Sequence, residues 1–194
     1  MKIGRVQYQG AEHPALVTCS GYLLDPQPDH PVYDVADGEV SGIEVSSDEV
    51  TLRPPVRPGK ILGIGWNFRE HVAEMSERRS AGENVTHLVQ EELPPFLVFM
   101  KPSSSLVGHG DAIVYPKDAT KVEYEGELGV VISRTIRRVT PEEARTAILG
   151  WTCANDVTER DMQAVDGQWW RAKGYDTFAV AGPFLETEAP SDEA

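Results

Sequence analysis

The sequence is poor in basic residues: 18 Lys and Arg stand against 31 Asp and Glu among 194 residues, a formal net charge of -13. Such a surface repels phosphate backbones, and the Lys and Arg residues form no stripe, so we expect no nucleic-acid partner. The chain also lacks an apolar run of membrane-spanning length, and its first ten residues lack the apolar core of a secretory signal. We therefore expect a cytoplasmic protein with no membrane partner.

Cysteine is scarce as well. Cys19 and Cys153 are the two cysteines of the chain, too few for a disulfide framework, and free thiols fit a cytoplasmic protein. Cys153 lies close in sequence to several acidic residues, which raises the alternative of a nucleophile. The favoured interpretation is a buried, unreactive thiol.

Several common catalytic signatures are missing. The stretch "GIGWN" is not followed by the third glycine of a dinucleotide-binding loop. In "PSSSLVG" no serine is flanked by glycines at the spacing of a nucleophile elbow, and no phosphate-binding loop is present. These absences argue against nicotinamide-dependent, serine-hydrolase and nucleotide-hydrolysing activities.

Turn residues divide the chain. Residues 1–58 contain short strand-like runs separated by Pro, Gly and Asp, and they end in the Pro-rich stretch "RPPVRPGK", so we expect a small β-rich N-terminal region. Residues 59–187 form the expected catalytic domain: "KILGIG" predicts a buried strand, "NFREHVAEM" predicts a helix over residues 67–75, and the rest mixes strand patterns with few helices. One of those helices starts in "TPEEARTAILG", where Thr140 is the predicted N-cap and Pro141 occupies the first turn. Residues 188–194 are an acidic tail.

The run "VEYEGELGVVI", residues 122–132, carries chemistry. Glu123, Glu125 and Glu127 alternate along a predicted strand, so their carboxylates point to one face and repel one another. If the run were an edge strand with one face open to solvent, water would solvate these carboxylates. The apolar residues at the end of the run instead favour a strand that is buried on both faces. A divalent cation would turn the repulsion into coordination, and hard carboxylate ligands favour magnesium, manganese or calcium. Asp156, in "CANDVTERD", is the best-placed further acid.

A second candidate is the pair His71 and Glu74 in "REHVAEM". Residues at this spacing are neighbours on one face of a helix, where the carboxylate can orient the imidazole as a general base. A surface ion pair is the alternative explanation, and the zinc-protease pattern is excluded because a second histidine is missing.

Five stretches in order resemble the fumarylacetoacetate hydrolase family, in the branch that handles acylpyruvates and ring-cleavage products of aromatic catabolism. They span roughly residues 60–183 and read "GIGWNFREHVAEM", "PPFLVFMKPSSSLVGHGDAIVYP", "KVEYEGELGVVISRTIRRVTPEEA", "GWTCANDVTERDMQ" and "KGYDTFAVAGP". The resemblance implies an α+β fold, with a mixed β-sheet sandwich or roll of the fumarylacetoacetase C-terminal-domain type and few short helices.

The resemblance also implies roles for individual residues. Glu125, Glu127 and Asp156 match the metal ligands of the family, which hold Mg2+ or Mn2+, whereas Glu123 is not a regular ligand. The matches to the catalytic dyad are His71 and Glu74, and those to the substrate-binding residues are Arg160, Gln163 and Lys173. The polar stretch of residues 76–93 matches a lid over the substrate.

The implied activity is hydrolysis of a C–C bond in acylpyruvate-like or 1,3-dicarbonyl acids. A 2-oxo acid would chelate the metal, which stabilises an enolate, and the His–Glu pair would activate water. The same site could serve an isomerase or a decarboxylase, or the chain could be an inactive or partial subunit. Relatives are dimers as a rule and continue for about 80 residues beyond the match to Pro183, so we expect a homodimer and a pocket wall supplied by further chain.

Overall fold

The structure is a computed structural model that describes residues 1–27, 32, 42–65, 67, 73, 76–78, 80–82 and 97–191. These residues form mostly β-strands with a few short helices, which confirms the predicted mixed-sheet fold class. The strands are β1 (Lys2–Tyr8), β2 (Ala11–Val17), β3 (Tyr22–Leu24), β4 (Ile43–Val45), β5 (Thr51–Arg53), β6 (Ile61–Gly65), β7 (Leu97–Lys101), β8 (Leu106–Val107), β9 (Val122–Glu123), β10 (Gly126–Ile132), β11 (Ile148–Asp156), β12 (Thr158–Glu159), β13 (Ala179–Ala181) and β14 (Leu185–Glu186). The α-helices are α1 (Pro141–Arg145), α2 (Arg160–Val165) and α3 (Trp170–Lys173).

The N-terminal strands form an antiparallel meander. β1 and β2 are joined by Gln9 and Gly10, which both have positive φ (44° and 86°), as a tight two-residue hairpin turn requires. β3 and β4 extend the sheet from β2. Its core is a cluster of five buried side chains, namely Val6, Ala15, Tyr22, Leu24 and Val45.

Among the described residues, one mixed sheet of ten strands joins the N-terminal strands to β14. β14 pairs with β1 and with β11, and β11 also pairs with β10 and β13. β13 in turn runs parallel to β8. The N-terminal strands therefore continue directly into the strands that carry the acidic residues, and the predicted boundaries at residues 58 and 187 stay predictions.

A separate two-stranded ribbon, β6 paired with β7, lies against helix α3. Its inner face carries Phe99 and Lys101, both buried. The opposite face is apolar and open to solvent in the described residues; its members are Leu62, Ile64, Val98 and Met100.

Local predictions outside the acidic run agree well with the structure. The strand-like runs "IGRVQY" and "KILGIG" are β1 and β6, but the expectation that "KILGIG" is a buried strand was wrong, because Leu62 and Ile64 are exposed on its outer face. Thr140 caps α1 through a hydrogen bond from the Glu143 amide, and Pro141 starts the helix, as predicted. The helix predicted from residue 67 to 75 lies outside the described residues for most of its length. No helix within the described ranges is long and apolar enough to cross a membrane.

Two further burial predictions were wrong. The apolar end of β10 was expected to be covered on both faces, but Leu128, Val130 and Ile132 are 59%, 49% and 51% exposed. Cys153 was expected to be buried, yet it is exposed, because it lies opposite Leu128 on that same open face of the β10–β11 pair. Both cysteines are free thiols.

Candidate active site

The acidic run is not one continuous strand, contrary to the expectation from its alternation. Glu123 belongs to β9, Glu127 belongs to β10, and Glu125 lies in the break between them. The physical reason is that the Glu125 amide donates to the side-chain Oδ1 of Asn155, at 3.0 Å, while the Asp156 amide donates to the Glu125 carbonyl at 2.9 Å. The regular strand is therefore interrupted at Glu125, where the acidic run lies beside Asn155 and Asp156 of β11.

Glu125 and Asp156 share one ammonium group. Lys173 Nζ donates to Asp156 Oδ2 at 2.5 Å and to Glu125 Oε1 at 3.3 Å. The hydroxyl of Thr158 also donates to Glu125 Oε1, at 3.0 Å. Lys173 is 1% exposed and Asp156 is 9% exposed, so the break in the ladder holds a buried network of opposite charges.

Arg160 and Gln163 join the network from helix α2. Arg160 Nη1 lies 2.7 Å from Glu125 Oε1 and donates to Gln163 Oε1 at 2.9 Å. The structure therefore brings five of the predicted site residues together: Glu125, Asp156, Arg160, Gln163 and Lys173. Their roles in binding metal and substrate stay predictions.

Glu127 lies at the edge of this network. It is half-buried, and it faces the same side of the β10–β11 pair as Ala154 and Asp156. Burial raises the pKa of Glu127, and the negative charges of Glu125 and Asp156 raise it further. For Glu125 burial acts in the same direction, but the charges of Lys173 and Arg160 outweigh it and lower its pKa.

Lys101 is a buried cation that the sequence analysis missed. It is 3% exposed, and its Nζ donates to three backbone carbonyls and lies 2.7 Å from Asp156 Oδ1. Burial lowers its pKa to about 8 in spite of the attraction of Asp156. The sequence "PFLVFMKPS" contains a signal for this burial. Leu97, Phe99 and Lys101 occupy every second position of the strand, so the three side chains point to the same, inner face of β7.

Glycines in β6 make room for an aromatic wall. The Phe99 ring lies over Gly63, and the Trp169 ring lies over Gly65. The two ring centroids are 5.8 Å apart, and Lys173 Nζ lies 4.5 Å from the Phe99 centroid and 5.9 Å from that of Trp169. These cation–π contacts fix the lysine on the side away from the carboxylates.

Two further acids of the region, Glu123 and Glu159, support neighbouring elements. Glu123 accepts from Arg160 Nε at 2.7 Å, which leaves a different guanidinium nitrogen for Glu125. Glu159 is 2% exposed. Its side chain accepts a hydrogen bond from the Met162 amide at 2.5 Å and so caps the N-terminus of α2. The Glu159 side chain also accepts hydrogen bonds from the backbone amides of Thr120 and Lys121. Neither role was predicted.

The carboxylates of Glu125, Glu127 and Asp156 are the candidate ligands for a divalent cation. Within the ranges that the structure describes, no group of three His, Cys, Asp or Glu side chains is placed so that it could hold a metal ion. The chemistry of the acids fits one nevertheless. Asp156 Oδ1 is buried and forms an ion pair with Lys101 Nζ but accepts no hydrogen bond from the described residues, and Glu127 is repelled by two neighbouring carboxylates. Hard oxygen donors with unsatisfied capacity suit Mg2+ or Mn2+.

His71 and Glu74, the predicted dyad, lie outside the described residues, and so does most of the predicted lid at residues 76–93. The assignment of a general base therefore stays a prediction.

Comparison with known proteins decides the family. Residues 60–194 match the fumarylacetoacetate (FAA) hydrolase C-terminal family. The chain belongs to the fumarylacetoacetate hydrolase family. Members of this family generally use a divalent metal. The resemblance noted in the sequence is thereby confirmed.

Individual relatives place the chain within the family. An uncharacterized protein of Archaeoglobus fulgidus is 46% identical over 159 residues, which are 80% of this chain and 58% of that protein. A 2,4-didehydro-3-deoxy-L-rhamnonate hydrolase of Sphingomonas sp. is 35% identical over 195 residues, 96% of this chain and 64% of the hydrolase. Among solved structures, 5-carboxymethyl-2-hydroxymuconate delta-isomerase from Mycobacterium smegmatis has a TM-score of 0.78 at 30% identity, covering 98% of this chain and 68% of the isomerase. The chain thus spans less than two thirds of the length of each of these two fumarylacetoacetate hydrolase family relatives.

Proposed function

We propose that the protein formed by this chain is a divalent-metal-dependent hydrolase of C–C bonds in acylpyruvate-like or other 1,3-dicarbonyl acids. The family membership supports the proposal, and so does the hydrolase from Sphingomonas, which the chain matches over 96% of its residues. In such a reaction water adds to the acyl carbonyl, the C–C bond breaks, and pyruvate and a second carboxylic acid are released.

One observation carries the proposal. Glu125 Oε1 is in contact with both Lys173 Nζ and Arg160 Nη1, at 3.3 and 2.7 Å. Two of the predicted metal ligands, Glu125 and Asp156, therefore form one buried cluster with the predicted substrate-binding cations, although these residues come from three separate parts of the chain. A site for a small anionic oxo-acid needs this combination, because the substrate brings negative charge to a place that must also stabilise the charge that develops in the reaction.

Each side chain has a proposed task. Glu125, Glu127 and Asp156 would hold the cation, which would supply positive charge to the oxygens of a bound 2-oxo acid. Arg160 presents a planar guanidinium to the substrate carboxylate, and Lys173 donates to an oxo oxygen. The proposed general base is His71, oriented by Glu74.

A second candidate is an isomerase that uses the same cluster. The neighbour from Mycobacterium smegmatis carries an isomerase name and matches 98% of this chain at a TM-score of 0.78. An isomerase would move a proton between carbons of an oxo-acid without adding water. Decarboxylation of a β-oxo acid would draw on the same positive charge.

The test combines metal binding with product analysis. We expect the purified chain to bind Mg2+ or Mn2+ in isothermal titration and to convert acetylpyruvate to pyruvate and acetate, with oxaloacetate assayed in parallel for CO2. Glu125→Gln should weaken metal binding by at least about tenfold and remove most turnover. Glu142→Gln, at an exposed residue of α1, is the matched control and should change neither quantity. Full magnesium binding and full turnover in Glu125→Gln would falsify the assignment.

A further inference from the structure

The ammonium group of Lys101 lies where three backbone carbonyls converge. Nζ donates to the carbonyl oxygens of Val157, Lys173 and Phe178, at 3.0, 2.5 and 2.9 Å. An ammonium group has three N–H donors and no acceptor, so these carbonyls match its full donor capacity. Such an arrangement is costly to form, because a charge must leave water, and it indicates a specific structural task.

The three carbonyls belong to the segments that carry the acidic cluster. Val157 directly follows Asp156, and the second carbonyl is that of Lys173 itself. Phe178 precedes β13, and its carbonyl also accepts the Val157 amide at 3.1 Å. These segments are 16 and 5 residues apart along the chain, and no regular ladder joins α3 to the end of β11. Lys101, which belongs to β7 of the β6–β7 ribbon, contacts all three segments through its ammonium group.

We propose that Lys101 is a positioning residue: its ammonium group holds the backbone of Val157, Lys173 and Phe178 together, so that the side chains of Asp156 and Lys173 meet. This role differs from neutralising Asp156 by charge alone. The metal-binding part of the test below rests on the proposed function, whereas the hydrogen-exchange part does not.

The two roles predict opposite results for cation binding. Lys101→Met removes a positive charge that lies 2.7 Å from Asp156 Oδ1. If Lys101 acted by its charge alone, its loss would remove repulsion and tighten Mg2+ binding. If Lys101 positions Asp156, the same substitution should weaken Mg2+ binding by about 10- to 100-fold, as the loss of a group that orients metal ligands does.

Hydrogen exchange supplies a readout that needs no metal and no activity. The Val157 amide donates to the Phe178 carbonyl, which also accepts from Lys101. In Lys101→Met we expect this amide to exchange at least about tenfold faster than in the wild type. Lys117→Met, at an exposed lysine, is the matched control for the change in net charge and should leave both readouts unchanged.

Lys101→Arg keeps the charge but offers a planar fork that does not fit three converging carbonyls, so it should share the exchange defect of Lys101→Met. It also serves as the second variant should Lys101→Met not fold. Wild-type exchange in the arginine variant, or tighter Mg2+ binding in Lys101→Met with unchanged exchange at Val157, would overturn the proposal. A wild-type chain that binds no Mg2+ would count against the proposed function only, and the exchange rates would then decide the role of Lys101.

Discussion

The Phe99 ring lies directly against Gly63: a Cβ at residue 63 would come within 2.1 Å of its Cζ atom. Because the same ring lies under Lys173 Nζ, at 4.5 Å from the centroid, this glycine determines where the lysine can sit.

Gly63→Ala should therefore push the ring toward the cluster and destabilise the chain by about 1–3 kcal/mol, as overpacking does. Urea denaturation would measure the change. Gly59→Ala is the control, because a Cβ there meets no heavy atom within 4 Å. Equal stability of the two variants would contradict this prediction, because it would show that the Phe99 ring can move aside without a cost in stability.

Glu123 is expected to act on Arg160 and not on the metal. It accepts from Arg160 Nε at 2.7 Å, while Arg160 Nη1 faces Glu125. Glu123→Gln should raise the KM for the oxo-acid about fivefold, since a partly exposed ion pair contributes about 1 kcal/mol, with little change in kcat or Mg2+ affinity. Steady-state kinetics and titration check this. A loss of Mg2+ affinity like that of Glu125→Gln would instead make Glu123 a ligand.

Glu159 should matter for stability more than any exposed acid. It is 2% exposed and accepts the amides of Met162, Thr120 and Lys121. Glu159→Ala removes a helix cap and leaves buried donors unpaired, so we expect a loss of about 2–3 kcal/mol in the free energy of unfolding. Glu142→Ala, exposed in α1, should stay within about 0.5 kcal/mol of the wild type. Similar values for the two variants would contradict the capping role.

Glu12 should make part of the stability depend on pH. Burial raises its pKa, but hydrogen bonds and charge from Arg57 and Arg5 outweigh this, so its pKa lies below the ordinary value of 4.5. A carboxyl group with a lowered pKa in the folded state stabilises the fold above the pKa of the unfolded chain, and the contribution is lost as pH falls through the folded pKa. The difference in unfolding free energy between wild type and Glu12→Gln should shrink between neutral pH and about pH 3. An unchanged difference would mean that the ion pairs contribute nothing.

The open apolar face of β10 leads us to propose a homodimer. Leu128, Val130 and Ile132 are each about half exposed on one strand. Val130→Lys should then shift the chain toward monomer in sedimentation velocity experiments, because a charge cannot be buried in such an interface without a partner. Glu142→Lys, at an exposed residue of α1, is the control. A wild-type chain that is monomeric at all concentrations would contradict the proposal.

Local patterns were sufficient for the parts of the fold that depend on neighbouring residues. The strand-like run "IGRVQY" predicted β1, and the sequence Thr140–Pro141 predicted the start of α1, because both signals act within one turn or a few residues of chain. The acidic pattern likewise marked Glu125 and Asp156 as neighbours of one site, and the structure links both to Lys173.

The sequence by itself determined which residues carry charge, where strands and caps begin, and the family to which the chain belongs. Only the tertiary structure decided that the acidic run breaks at Glu125, that Lys101 gathers three distant carbonyls, and that one face of β10 stays open. The physical reason is that each of these depends on contacts between segments far apart in the chain. Periodicity shows which way a side chain points, and packing alone decides what it meets there.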